Sequence, residues 1–141
     1  MRPGIRFTKL WQDDDMVELR AEVCDGSAFF SNQIYVGHQQ LAKTVLELNT
    51  FKDHVHGGRF EFRFGGFGPE FGSGALEVRL QFRQLGRILV QISAQSEFQL
   101  VGDENLASEV RLHFASEPAL LDNFIVGLRA VSNGHCDQAE L

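Results

Sequence analysis

Apolar and polar residues alternate along most of this chain, and the rhythm breaks only where the backbone must turn or change structure. Residues 5–12 (IRFTKLWQ) alternate weakly and predict a first strand, closed by a solvated turn at Asp13, Asp14 and Asp15. From 16 to 24 the rhythm is clean, with Val17, Leu19, Ala21 and Val23 inward and Glu18, Arg20, Glu22 and Cys24 outward. Asp25-Gly26 signals a hairpin, and the return strand 28–36 places Ala28, Phe30, Ile34 and Val36 on the core face. At Gly37 the period changes. Leu41, Val45 and Leu48 then form one stripe of an amphipathic helix over 38–51.

A loop, KDHVHGG (52–58), leads into the stretch Gly57–Gly74, GGRFEFRFGGFGPEFGSG. It begins as a strand, with Phe60, Phe62 and Phe64 on one face and Arg59, Glu61 and Arg63 on the other. Five glycines and Pro69 then bend the chain and leave Phe67 and Phe71 outside the inward rhythm. Two further strands follow, with Leu76, Val78, Leu80 and Phe82 inward in one and Ile88, Val90, Ile92, Ala94 and Phe98 in the other. Gly102-Asp103 marks a reversal, and Val110, Leu112 and Phe114 define the last strand. Ser116 reads as the N-cap of a closing helix over 117–132, in which Leu121, Ile125 and Leu128 form a ridge.

The order β-β-β-α-β-β-β-β-α, with tight turns inside each strand group, predicts an α+β domain. We expect a single antiparallel sheet of six to seven strands, with both helices on the face lined by Val78, Leu80, Val90, Ile92, Val110 and Leu112. At 141 residues the chain fits one domain, 1–134, followed by a disordered tail at 135–141. The net charge of −6 disfavours nucleic acid and anionic membranes as partners, and favours a basic protein. Two cysteines, no apolar leader and no membrane-length apolar run indicate a cytoplasmic protein.

Candidate chemistry is sparse. His54 and His56 form an H-x-H pair, a weak metal candidate without a third ligand at fixed spacing. No nucleophile elbow or phosphate loop is present, and Cys24 is expected on an exposed strand face, so no catalytic residue or cofactor is assigned. The alternation of 59–64 puts its arginines and phenylalanines on opposite faces, which argues against base stacking. That leaves the loop Gly65–Gly74 as the candidate interaction site, presenting Phe67, Glu70 and Phe71.

Three strands ending in IYV, the helix GHQQLAKTVLELNTF, the segment GGFGPEFGSGALEVRLQF and the closing VRLHFASEPALLDNFIVGLRAV together resemble small bacterial α+β domains grouped with WapI-type immunity proteins. The resemblance spans roughly residues 5–132 and carries no catalytic residues. It implies a non-enzymatic protein that binds and neutralises a toxin domain. The alternative is a small-ligand binder or enzyme with a pocket between sheet and helices.

Overall fold

Tight turns make antiparallel neighbours of consecutive strands, and in the computed structural model, which describes Met1–Leu141, they do so in two separate groups. Strands β1 (Gly4–Gln12), β2 (Met16–Cys24) and β3 (Phe29–Gly37) form a meander, and helix α1 (His38–Phe51) follows. The second group contains β4 (Arg59–Phe64), β5 (Ala75–Phe82) and β6 (Ile88–Gln95). A small hairpin, β7 (Gln99–Val101) and β8 (Glu104–Leu106), turns at Gly102-Asp103 before β9 (Glu109–Ser116) returns to pair with β6. Helix α2 (Pro118–Ser132) and a short strand β10 (Gln138–Glu140) complete the chain.

The α+β class and the two helices are as expected, but the single sheet of six to seven strands is not. Instead there are two four-stranded sheets, β10-β1-β2-β3 and β4-β5-β6-β9, plus the β7-β8 hairpin. Helix α1 separates β3 from β4, so no tight turn brings their edges together. The edge of β4 is met by the helix, where Gln40 Nε2 donates to Arg63 O at 2.8 Å. The sheets touch instead through β3. Its residue Ile34 forms an isolated bridge to Gly74, and Asn32 Nδ2 donates to Ala75 O (3.2 Å) and Gln95 O (2.8 Å).

The two sheets repeat one plan, four strands in running order and a helix, provided β10 is counted ahead of β1. No residue pattern announces the repeat. Each unit lays its helix against the other unit's sheet. Phe51 on α1 stacks on Phe82 (4.9 Å between ring centres), whereas Phe124 on α2 packs against Phe7 of β1 (6.0 Å). The helices therefore divide between the sheets rather than sharing the Val78–Leu112 face. Phe7 meets Phe64 at 5.8 Å, so a chain of rings crosses from one sheet to the other within one core of 30 buried residues.

Three local expectations change. The tail 135–141 does not fray: Phe7 pairs with Ala139, and Ile5 and Leu141 exchange backbone hydrogen bonds at 2.8 and 3.4 Å. Ala139 and Leu141 are buried, which is what anchors so short a strand. Ser116 ends β9 with a buried hydroxyl and does not cap α2; Glu117 holds the cap position without a side-chain bond. Cys24, placed outward by alternation, is buried because the N-terminal segment lies over it, with Met1 O 3.4 Å from Sγ.

Candidate interaction surface

The loop Gly65–Gly74 interrupts the β4-β5 hairpin at the pair Phe64–Leu76 and closes on itself as an Ω-shaped excursion. Its neck is too narrow for side chains: a Cβ on Gly65 would collide with Gly74 O, and one on Gly74 with Gln33 O. Gly65 also has φ +75°, a conformation that glycine adopts without strain. Two bonds fasten the loop outside its neck. Gln95 Oε1 accepts from Gly68 N (2.9 Å), and Phe98 N donates to Gly72 O (3.3 Å).

The two aromatic residues of this loop have different environments. Phe67 is half-buried, its ring 5.4 Å beneath the Arg63 guanidinium. Phe71 is 59% exposed, with one face of its ring resting on the backbone of Gly66, where any Cβ would strike it. Glu70 is exposed between them. The bond from Phe98 joins the loop to the stem of the β7-β8 hairpin, whose Leu100 (75% exposed), Val101 and Leu106 are also bare. Sequence reasoning identified the turn at Gly102-Asp103 but not these apolar flanks. Their signal was three apolar residues within a segment otherwise polar and acidic. Together the loop (65–74) and the hairpin region (96–109) hold Glu70, Glu97, Asp103, Glu104 and Glu109 and no Lys, Arg or His. We call this end of the molecule the apex.

Behind the loop, the outer face of β4-β5-β6-β9 forms a groove of about 870 Å³ lined by Arg63, Phe67, Glu77, Arg79, Arg111 and His113 among others. Glu77 is only 8% exposed and receives both Arg63 and Arg79, the latter at 2.9 Å. The bond from Arg63, with the charges of Arg79 and Arg63, holds its carboxyl below the usual range against the opposing effect of burial. Arg111 makes no ion pair or side-chain hydrogen bond within the chain. The space between sheets and helices, by contrast, is filled by the core.

The histidine pair does not converge on a site. His54 turns back on α1, its Nδ1 3.0 Å from Thr50 O, and His56 is exposed in the loop after it. No three His, Cys, Asp or Glu side chains come together as metal ligands. No helix is long and apolar enough to cross a membrane. Comparisons with protein-family models, with curated proteins and with solved structures each returned no match.

Proposed function

We propose that this chain is a protein-binding domain that uses its acidic, apolar-tipped apex to recognise a partner with a basic surface. The observation that carries the reading is the exposure of Phe71 on a loop fastened to the stem of a hairpin that bares Leu100 on one face and Val101 and Leu106 on the other. Aromatic anchors surrounded by charge are what dominate binding energy and steer encounter in protein interfaces. Within that class, the resemblance to WapI-type immunity proteins makes the partner a toxin domain and the activity its neutralisation. Phe67 contributes from behind, as a wall of the groove rather than as an anchor.

Growth of cells carrying each polymorphic-toxin domain encoded in the same genome, with and without this protein, tests the reading. Protection is expected against one of them, with calorimetric binding weakened by about 1–3 kcal/mol in Phe71→Ala. Thermal stability should stay within about 0.5 kcal/mol, because the ring is mostly in solvent. Equal binding by Phe71→Ala combined with Leu100→Ala would remove the apex from the contact. Absence of protection against every domain would remove the toxin assignment. The second reading, a small-ligand binder, would use the sheet groove, where the unpaired Arg111 offers a site to an anion.

A further inference from the structure

The opposite end of the β4-β5-β6-β9 sheet has the reverse character. There the β5-β6 connection, Arg83-Gln84-Leu85-Gly86-Arg87, lies beside the loop 52–59, to which Phe82 N donates at Gly58 O (3.0 Å). These two segments carry Lys52, Arg59, Arg83 and Arg87 against the single acid Asp53, in a chain of net charge −6. None of the four bases enters an ion pair within the chain. We call this end the pole. It lies roughly 25 Å from the apex, the length of an eight-residue strand.

At its tip stands Leu85, the only non-glycine residue with positive φ (φ 61°, ψ 27°). With Gly86 at φ +71° and Arg87 N donating to Gln84 O at 3.4 Å, it forms a turn of the I′ type, which prefers Asn-Gly at these positions. Leucine there is strained, and the side chain is 98% exposed, so nothing within the molecule offsets the strain. Val55 is also exposed, in the neighbouring loop. A strained, bare aliphatic residue near four cations that form no ion pair, with Asp53 and Glu117 the acids closest in the chain and the sheet, is complementary, in both charge and polarity, to the bare apolar residues and the acids of the apex.

We infer that the pole of one copy docks on the apex of a second copy, with Leu85 entering between Phe71 and the Leu100–Leu106 hairpin. The contact joins two different surfaces, so one copy keeps its apex and the other its pole free for further association. It also makes the pole a competitor for whatever partner the apex binds. The inference stands whether or not that partner is a toxin, since it is tested with this protein alone.

Sedimentation of the purified chain measures it. At about 10 mM salt, where screening extends to ~30 Å, the mass should rise with concentration above the monomer's 15.8 kDa. At about 1 M salt, where screening falls to ~3 Å, it should return toward monomer. Leu85→Asn relieves the turn, so this variant should melt higher than the wild type yet associate about tenfold or more weakly. A merely structural Leu85 would not separate those two readouts. Arg83→Glu with Arg87→Glu, and separately Asp103→Lys with Glu104→Lys, should each give monomers, and mixing the two variants should restore association. A wild-type chain that stays monomeric at low salt, or charge-reversed variants that fail to complement, would overturn the proposal.

Discussion

Asn32→Asp changes one atom group at the junction of the two sheets, and the structure sets the size of its effect. Asn32 is 8% exposed, and its Nδ2 donates to Ala75 O and Gln95 O. In the variant a carboxylate oxygen faces those two carbonyl oxygens with no proton to give. Burial and the lost donors both disfavour the charged form, so the folded-state pKa rises. The site can always escape by taking up a proton. From the ordinary aspartate value of about 3.9, that costs about 4 kcal/mol at pH 7, at about 1.36 kcal/mol per unit. A protonated carboxyl donates only once, so one hydrogen bond, about 1 kcal/mol, is lost at every pH. The expected destabilisation is therefore about 5 kcal/mol at pH 7, a large part of the ~5–15 kcal/mol a domain possesses. Because the folded pKa lies above the unfolded one, the charge penalty is absent below pH ~3.9 and grows as pH rises. Urea unfolding of variant and wild type between about pH 4.5 and 7.5, subtracted, isolates it from carboxylates common to both. Asn32→Leu should lose about 1–3 kcal/mol with no pH dependence. A difference for Asn32→Asp that is flat with pH, or below about 1 kcal/mol at pH 7, would refute the burial and orientation assigned to this amide.

Two further outcomes are expected. Glu77, bonded by Arg63, and Glu22, bonded by Arg6 at 3.0 Å, both titrate below their ordinary 4.5 in the folded chain. Their contribution is present above that value and is lost as pH falls through the folded pKa values, so the urea midpoint should drop in acid and drop less steeply in Glu77→Gln. Leu141→Ala should cost about 2 kcal/mol or more, read as a fall of several degrees in Tm, because Leu141 is buried where β10 meets β1.

The sequence made the elements legible because alternation and helical stripes are local signals. Strand 16–24 and the helix at 38–51 follow directly from them, as does the strand that begins at Ile88, although it ends at Gln95 and leaves out the Phe98 that alternation assigned to it. The partition into two sheets is different, since it depends on where α1 lies between β3 and β4, and periodicity says nothing about edges separated by a helix. Asn32 was nonetheless visible in principle. It falls on the inward beat shared by Phe30, Ile34 and Val36, and a polar residue on that beat must find buried partners. β10 was not visible, because Gln138–Glu140 has one inward residue and no rhythm to detect. For the candidate surface, the sequence singled out Phe67 and Phe71 together, and only the position of Arg63 explains why one ring is covered and the other is bare. The basic pole emerges only when two segments distant in sequence are brought side by side.

The pairing of β10 with β1 also bears on how the chain folds as it is made. Strands β1, β2 and β3 emerge first and can zip through their own turns, but the free edge of β1 stays open until residues 138–140 have left the ribosome. Closing so long a loop adds little entropy per extra residue, yet that entropy must be met before the contact forms, and such steps are slow. Ile5 and Phe7, buried in the finished molecule, have neither α2 nor β10 over them during that interval. The nascent chain therefore carries an aggregation-prone edge until β10 is made, and that strand acts as the latch that ends the exposure.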